Sequence, residues 1–396
     1  MRLAVIFESS PFDRKGLFNA VHNRVKHLLA TGECTIDVFC VHSRDNAFTR
    51  RVRHTPDVPF VDETVIDDVR YRLLWYRFSI LDNVLLEKLH VRPWLFRRFM
   101  ESHVDLLKGY DAVVAHSFCG GLFALAAHQR FGVPYYVTWH GSDVHTHPWR
   151  VPVILEDTRV VMESARCNFF VSRALLEASE RITSNARKEV LYNGVSEEFV
   201  KYSPERRAAV RERYGLAPDD KVVAFVGNLV TVKNVLSLPA IFAQVAKGYD
   251  GPLKFWIVGD GKLRAQLETA CSERLLCHCE ERSDVAIRFF GNQPSPVMPD
   301  IMNCIDVLVL PSLNEGLPLV CAEALSCGAA VVGSDVGGIA EVIGSDNVVP
   351  LGISFVNGMA EKVVLALTGQ SPSQTLPADI SWARTAALEL SILKSL

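Results

Sequence analysis

Two glutamates near the C-terminal end of the chain, Glu315 and Glu323, are eight positions apart. The wholly apolar run Val307–Leu310 that precedes them is typical of a parallel strand covered on both faces. Because Gly316 permits a tight turn and Pro318 can open a helix, we expect Glu315 on the turn and Glu323 in the helix. A helix N-terminus favours anions, and carboxylates accept hydrogen bonds from hydroxyls. The pattern therefore predicts a nucleotide-sugar site.

Short apolar runs alternate with helical patterns along both halves of the chain. We predict strands at Leu3–Glu8, Thr35–His42, Ala112–His116, Tyr135–Trp139, Cys167–Val171, Glu189–Tyr192, Val222–Gly227, Lys254–Gly259, Ile287–Gly291, Val307–Leu310, Ala329–Gly333 and Val348–Leu351. This alternation is typical of parallel sheets with right-handed crossovers and predicts an α/β protein of two Rossmann-like domains facing each other across a cleft. Asn-Gly and Ser-Pro pairs place the hinge between Asn193 and Ser203.

The composition is that of a soluble enzyme. The chain has 396 residues, which suits two domains, and its net charge of -3 gives no basic excess for nucleic acid. The first apolar run is too short for a signal segment, and no run approaches a membrane span. The ten cysteines are scattered, which favours reduced thiols and a cytoplasmic location.

Alone, the glutamate pair would be interpreted as a solvated acidic turn and a surface glutamate. The flanking residues change this interpretation. Together with Pro311-Ser312 before it and the glycine-rich run from Gly333 to Gly338 after it, the segment resembles the E-x7-E motif of glycosyltransferase family 4. The resemblance spans nearly the whole chain and implies the GT-B fold. It implies an acceptor-binding domain over 1–196, a donor-binding domain over 197–380, and a C-terminal helix over 381–396 that returns to the first domain.

The resemblance also implies a set of donor-binding residues, all but Gly16 in the second half. Glu323 would bind the ribose hydroxyls and Glu315 the hydroxyls of the transferred sugar, while Lys233 would contact phosphate as a point charge. The further members of this set are Gly16, Gly227, Asn228, Gly259, Gly316, Leu317, Leu319 and Val320. Asn228 stands where the family carries arginine, and Asn234 stands where glycine is usual, so phosphate binding should depend more on Lys233 and backbone amides.

In the first half, the run Val137–Val144 resembles the family's His-Gly-x-Asp signature. The resemblance implies that His140 contacts the donor sugar and stabilises an oxocarbenium-like transition state, with Asp143 orienting the loop or the imidazole. The alternative is a structural histidine at a strand end. Gly16 is the single glycine left where the family has a glycine-rich loop.

The resemblance implies a hexosyltransferase that retains anomeric configuration. It would move a hexosyl or related sugar from a nucleotide-diphosphate sugar to a glycan or lipid-linked acceptor, in cell-surface polysaccharide biosynthesis. No metal or other cofactor is expected, because lysine and helix-dipole contacts commonly replace the metal in GT-B enzymes. Two alternatives remain open: a nucleotide-sugar epimerase of the same architecture, and a catalytically weak homologue that binds nucleotide sugar.

Two further segments stand out. In Arg70–Phe78 and Arg92–Phe99, cations alternate with aromatic residues. This pattern is typical of helices at an anionic bilayer surface and equally of amphipathic packing helices. Peripheral location on the inner face of the plasma membrane is therefore one hypothesis. Cys271–Arg288 contains Cys277-His278-Cys279, but adjacent ligands without a second pair argue against a metal site. We interpret that segment as a solvent-exposed insertion.

Overall fold

Fourteen strands form two sheets in the computed structural model, which describes residues 1–12, 16–45, 50–51, 57–77, 80–279 and 285–395, without the side chains of Asn83 and 275–279. The chain divides into two compact units. Unit 1 comprises Met1–Asn193 and Ser381–Leu396, and unit 2 comprises Gly194–Ile380.

Unit 1 is built on an eight-stranded sheet of order β3-β4-β2-β1-β5-β6-β7-β8, parallel except for the β3–β4 pair. Its strands are β1 Arg2–Glu8, β2 Thr35–Arg44, β3 Glu63–Ile66, β4 Val69–Arg77, β5 Ala112–His116, β6 Tyr135–Trp139, β7 Cys167–Phe170 and β8 Lys188–Val190. Its helices are α1 Gly16–Ala30, α2 Ile80–Leu89, α3 Trp94–His103, α4 Ser117–Phe131, α5 Ser142–His145, α6 His147–Arg150, α7 Pro152–Ser164 and α8 Arg173–Ser179, with α16 Trp382–Ser395 from the end of the chain.

Unit 2 is built on a six-stranded parallel sheet of order β11-β10-β9-β12-β13-β14. Its strands are β9 Lys221–Val226, β10 Leu253–Val258, β11 Val285–Gly291, β12 Val307–Leu310, β13 Ala330–Ser334 and β14 Val348–Val349. Its helices are α9 Pro204–Arg213, α10 Leu238–Gly248, α11 Arg264–Cys279, α12 Met298–Cys304, α13 Leu319–Ser326, α14 Ile339–Ile343 and α15 Phe355–Leu367. All four residues of β12 are buried, as its uninterrupted apolar sequence predicts.

The predicted α/β class and all twelve predicted strands are confirmed, with ends shifted by a few residues. The helix that both interpretations of Arg70–Phe78 assumed is wrong. The segment up to Arg77 forms β4, which pairs in parallel with β2, and Tyr71 and Leu73 lie in the core. Alternating exposure along this strand explains the alternation of arginine with aromatic and aliphatic residues. Phe78 itself lies outside the described residues.

The C-terminal helix α16 belongs to unit 1 and packs on α1. Its Leu390 and Leu393 join the same core cluster as Val21 and Val25 of α1. Apolar burial therefore fixes the end of the chain on the first unit.

The segment Cys271–Arg288 differs from the predicted insertion. Its first nine residues complete helix α11, Cys271 is buried, and its last four residues begin β11. Residues 280–284 lie outside the described part. Elsewhere in the described ranges, no helix combines the length and the apolar character that crossing a bilayer requires.

Candidate active site

The connections after β9 and β12 lie next to each other in unit 2, because these two strands are neighbours in the sheet. The chain runs from β9 outward to β11 and then crosses back to β12, so the order of strands reverses between β9 and β12. Ligands of open α/β sheets bind at the carboxyl ends of strands at such a reversal. A backbone hydrogen bond of 2.8 Å, from the Leu313 amide to the Val232 carbonyl, joins the two connections there.

Lys233 and Glu315 meet at this point. The Lys233 ammonium donates to Glu315 Oε1 at 2.5 Å, and the Ser312 hydroxyl donates to the same oxygen at 2.6 Å. Both charged side chains are mostly buried, at 21% and 11% exposed. The residue predicted to bind phosphate and the residue predicted to bind the sugar therefore form an ion pair with each other.

The turn that carries Glu315 is held by the glycine pair after β13. Gly337 has a left-handed φ of 53°, and a Cβ placed on it would come within 1.9 Å of the Glu315 carbonyl oxygen. The Gly338 amide donates to the Gly316 carbonyl at 3.0 Å. Gly316, which we expected to permit the tight turn, is not left-handed; the left-handed residue is Gly337, where the absence of a Cβ also allows the two loops to approach closely.

Two other glycines bring the loops after β9 and β10 into contact. A Cβ on Gly259, whose φ is 125°, would lie 2.0 Å from the Gly227 carbonyl oxygen. Gly261 faces the Leu229 carbonyl in the same way, at 2.4 Å. The backbones of the two loops therefore pack directly against each other at Gly259 and Gly261, at the carboxyl ends of the strands. Asn228 is exposed beside them.

Asn234 occupies the left-handed conformation, with φ 50° and ψ 35°, directly after the short 3₁₀ turn Thr231–Lys233. Asparagine tolerates this conformation better than other residues with a Cβ. Its presence where the family has glycine is therefore accommodated, and it leaves Lys233 at the end of the turn.

Helix α13 begins at Leu319, one residue after Pro318, which is the N-cap residue. The first amides of a helix have no partner within the helix, so those of Leu319 and Val320 are available to an anion. Gly316 and Leu317 are buried behind this start. The amide donors predicted for the diphosphate thus lie on a fixed turn, immediately after Glu315.

Glu323 lies in the fifth position of α13 and is half-buried. Burial, and after it the negative charge of Glu198, raises the pKa of the Glu323 carboxyl to about 7. Among the described residues no hydrogen bond or ion pair engages this carboxylate. A hydrogen-bond acceptor left without a donor in a half-buried place is suited to ligand hydroxyls.

The buried thiol of Cys321 shows that these groups lie together. Burial is the largest cause that raises the pKa of Cys321, the charges of Glu315 and Glu323 raise it further, and Lys233 lowers it. All three predicted charged residues are therefore close enough to act on one thiol. The sequence separates Lys233 from the glutamates by more than eighty residues, and the fold brings them together.

In unit 1, His140 follows β6 directly. The Asp143 carboxylate accepts from the Gly141 amide at 2.8 Å and from the His140 amide at 3.2 Å. Gly141 has φ 144°, which a residue with a side chain rarely adopts. Of the two roles considered for Asp143, its contacts fit the orientation of the loop rather than the imidazole.

The imidazole of His140 is instead held by a second histidine that the sequence analysis missed. His116 Nδ1 lies 3.0 Å from His140 Nε2, and His116 is buried at the end of β5. Burial, followed by the nearby Arg24 charge, lowers the pKa of His140 to about 3. Burial is also the main cause that lowers the pKa of His116. Both rings are therefore neutral near pH 7, and one donates to the other.

Arg24 lies beneath this pair and was also missed. Its guanidinium contacts Glu389 of α16 at 2.7 Å and donates to the Thr138 hydroxyl at 2.8 Å. Both charged residues are fully buried. The only sequence signal for this pair is a charged residue on the otherwise apolar side of each helix, α1 and α16. The signal is weak, because charged residues in a helix usually lie at its solvated edge.

The remaining predictions concern Gly16 and metal ions. Gly16 is the exposed first residue of α1, with open space around its Cβ direction, and residues 13–15 before it are outside the described part. Its contact with the donor stays a prediction. Across the described side chains, no group of three or more His, Cys, Asp or Glu residues is arranged to hold a metal.

Comparison with known proteins identifies the family. The family model described as "Glycosyl transferase 4-like domain" matches residues 16–194, and the one described as "Glycosyl transferases group 1" matches residues 220–368. The putative teichuronic acid biosynthesis glycosyltransferase TuaC of Bacillus subtilis is 28% identical over 235 residues, covering 59% of this chain and 55% of TuaC. The chain spans only about half the length of the curated relatives it matches.

The fold is also shared with solved structures. Sucrose-phosphate synthase from Thermosynechococcus elongatus has a TM-score of 0.69 at 19% identity, covering 100% of this chain and 94% of that one. Anabaena HepE in complex with UDP-glucose has a TM-score of 0.68 at 17% identity, covering 100% of both chains. Together, the two matched domains and the shared GT-B fold show that this chain belongs to glycosyltransferase family 4.

Proposed function

We propose that the protein transfers a hexosyl or related sugar from a nucleotide-diphosphate sugar to a glycan or lipid-linked acceptor, with retention of configuration. The observation that carries the proposal is the meeting of Lys233 and Glu315 beside the start of α13, at the strand reversal of unit 2. A cation, a carboxylate and free helix amides in one place match a sugar joined to a diphosphate. HepE, a structural neighbour, is known with UDP-glucose bound, which supports a nucleotide-sugar donor.

In the proposed complex, Lys233 turns from Glu315 to the diphosphate, and the Leu319 and Val320 amides donate to the same phosphate oxygens. Glu315, released from its ion pair, accepts from hydroxyls of the transferred sugar. Glu323 accepts from the ribose hydroxyls. Binding of the donor therefore exchanges one internal ion pair for several contacts with the ligand.

The proposed reaction is a front-face displacement. The bond between the anomeric carbon and the diphosphate oxygen breaks, and the bond from that carbon to the acceptor oxygen forms on the same face. The proton of the acceptor hydroxyl passes to the departing diphosphate. Neutral His140, fixed by His116 and by the Asp143 loop, stabilises the positive charge that develops on the sugar ring.

TuaC acts in teichuronic acid biosynthesis according to its name, which supports a place in cell-surface polysaccharide synthesis for this chain. A thermal-shift screen against nucleoside diphosphates and nucleotide sugars would identify the donor. The donor would then be incubated with the protein and candidate acceptors, and the products resolved by chromatography and NMR.

Free nucleoside diphosphate together with a glycoside of unchanged anomeric configuration is the expected result. An epimerised sugar nucleotide would instead identify an epimerase. Donor binding with no turnover by any acceptor or by water would identify a binding homologue. An inverted product would contradict the front-face reaction.

A further inference from the structure

Strand β5 passes into helix α4 through a single residue, Ser117, whose backbone is unusual. His116 before it is extended, with φ -121° and ψ 133°, whereas Ser117 has a left-handed φ of 62°. The other non-glycine residues with a positive φ in the described ranges are Asp67, Asp68, His90 and Asn234. Aspartate, asparagine and histidine tolerate this conformation better than serine does. The surroundings of Ser117 therefore hold it there.

The packing of α4 explains why the turn is so tight. A Cβ on Gly120 would lie 2.4 Å from the Ile6 carbonyl oxygen of β1, and a Cβ on Gly121 would lie 2.7 Å from Val161 of α7. Helix α4 is thus fixed against both elements directly after the turn, which confines the change of direction to Ser117. A glycine would adopt this conformation at a lower cost, so the serine points to a role for its side chain.

The side chain of Ser117 contacts Asp143, which follows the neighbouring strand β6. Asp143 is only 4% exposed, and a buried carboxylate needs hydrogen-bond donors. The Gly141 amide donates to it at 2.8 Å and the His140 amide at 3.2 Å. Burial raises the pKa of the Asp143 carboxyl, and hydrogen bonds from these two amides and from the Ser117 side chain oppose that rise. Of these three donors, Ser117 alone comes from outside the turn after β6.

His140 is therefore held in two ways from the end of β5. His116 contacts its imidazole at 3.0 Å, and the next residue, Ser117, reaches its backbone through Asp143. We propose that Ser117 is a positioning residue for His140, because its hydroxyl fixes the Asp143 carboxylate and so the turn after β6. The effect on the turn is independent of the proposed reaction, whereas the effect on turnover rests on the proposed function.

Three substitutions separate the hydroxyl of Ser117 from its backbone. Ser117→Gly removes the hydroxyl and relieves the left-handed conformation, and Ser117→Ala removes the hydroxyl but keeps the unfavourable backbone. Ser117→Thr keeps the hydroxyl and adds a branched side chain where the backbone tolerates it least. Tm should therefore be higher in Ser117→Gly than in the other two variants. Asp68→Gly is the matched control, since Asp68 is exposed in the β3–β4 turn with a φ of 63°.

The first measurement needs no ligand. Hydrogen exchange of the full chain is followed by mass spectrometry in the peptide that contains residues 139–144. Exchange should be at least about fivefold faster in Ser117→Gly and Ser117→Ala, the scale of one lost hydrogen bond, and within about twofold of the unchanged protein in Ser117→Thr and Asp68→Gly. Peptides of α1 should exchange alike in all four variants, which shows that the change is local.

The second measurement is turnover. Release of nucleoside diphosphate is measured from UDP-glucose and from every other nucleotide sugar that stabilises the protein in the thermal-shift screen. Ser117→Gly and Ser117→Ala should lose kcat to a similar extent, by about tenfold or more, with the KM for the nucleotide sugar within about twofold. Ser117→Thr should keep at least about a third of kcat, and Asp68→Gly should keep all of it. Activity would then follow the hydroxyl while Tm follows the backbone.

Two outcomes would overturn the proposal. Unchanged exchange of residues 139–144 in Ser117→Gly and Ser117→Ala would show that the hydroxyl does not fix the turn. Equal losses in Ser117→Thr and Ser117→Ala, with Ser117→Gly close to the unchanged protein, would assign the effect to the backbone alone. If Ser117→Ala fails to fold, Ser117→Gly and Ser117→Thr decide the question. The expected exchange pattern without turnover of any nucleotide sugar by the unchanged protein would support the positioning of the turn and contradict only the proposed function.

Discussion

The Nδ1 atom of His116 lies 3.0 Å from the Nε2 atom of His140, at the carboxyl ends of neighbouring strands β5 and β6. Burial lowers the pKa of each imidazole. The positive charge of Arg24 below them lowers both pKa values further, because it opposes protonation. In the proposed reaction, a neutral pair of this kind would fix the orientation of His140 without adding a positive charge beside a cationic transition state. We therefore propose His116 as a positioning residue for His140.

We expect His140→Ala to reduce kcat by at least about a hundredfold, because it removes a contact made in the transition state. His116→Asn should reduce kcat by a smaller factor, with little change in KM. Since the pKa of both histidines is lowered, kcat of the unchanged protein should show no inflection near pH 6.5 from this pair. Steady-state kinetics between pH 5.5 and 8.5 check all three expectations. Retention of nearly full activity by folded His140→Ala would show that His140 is structural.

Glu323 should make nucleotide affinity depend on pH. The pKa of its carboxyl is raised to about 7, and ribose hydroxyls donate to the ionised form. Affinity for a nucleoside diphosphate should therefore be highest at pH 8 and above and fall on acidification, by about tenfold between pH 8 and pH 6. Isothermal titration at both pH values measures this change. Glu323→Gln should bind more weakly at pH 8 and lose most of the pH dependence, whereas a variant with an unchanged slope would exclude Glu323 from the ribose contact.

Glu315→Gln should separate nucleotide binding from turnover. Glu315 holds Lys233 at 2.5 Å, so its neutral replacement should release the ammonium for phosphate. We expect a nucleoside diphosphate without sugar to bind about fivefold more tightly, the effect of roughly 1 kcal/mol from a mostly buried ion pair. At the same time kcat should fall, because a sugar contact is lost. Glu212→Gln, which neutralises an exposed carboxylate on α9, serves as the control and should change neither. Weaker binding by Glu315→Gln would mean that the carboxylate supports the phosphate site directly.

Gly337→Ala tests whether the turn that carries Glu315 is held from behind. A Cβ at this position meets the Glu315 carbonyl oxygen at 1.9 Å and faces a left-handed φ as well, so the turn must move. We expect at least about a tenfold loss of donor affinity with the fold retained. Gly369→Ala is the matched control, since its φ of 72° is also left-handed but nothing lies within 4 Å of its Cβ. Equal effects of the two variants would reduce the role of Gly337 to backbone strain alone.

Residues of the candidate site could be predicted from the sequence where a charged side chain lies beside turn residues after a strand. Glu315, Glu323 and Lys233 could be named because each lies in a recognisable motif after an apolar strand. Gly337 could be noted in its glycine run, but its contact with Glu315 depends on how β12 and β13 pair, which no local pattern specifies. β4 was misinterpreted as a helix because the arginines at alternate positions 70 and 72, followed by aromatic residues, resemble a basic amphipathic helix over so short a run. His116 and Glu389 carry no motif at all, and only tertiary packing makes them important.

The last prediction concerns the pair that fixes the C-terminal helix. Arg24 and Glu389 are fully buried and 2.7 Å apart, and within the described residues Arg24 Nη2 and Glu389 Oε1 have no hydrogen-bond partner. Arg24→Met should lower the free energy of unfolding of unit 1 by about 3–5 kcal/mol, because it leaves a buried carboxylate without its counter-ion. Arg24→Met/Glu389→Leu should recover most of that loss, since an apolar pair of similar volume carries no desolvation cost.

Urea denaturation followed by circular dichroism, with hydrogen exchange of α1 and α16, measures both changes. Arg159→Met breaks an exposed pair with Glu156 and should leave the free energy of unfolding unchanged within error. Activity adds a second readout, because the positive charge of Arg24 helps to keep His140 neutral. In the double variant the pKa of His140 should rise from about 3, though burial still holds it below its ordinary value, and turnover should become sensitive to acid at a higher pH than in the unchanged protein. A double variant as unstable as Arg24→Met, or one with an unchanged pH profile, would contradict the role assigned to this pair.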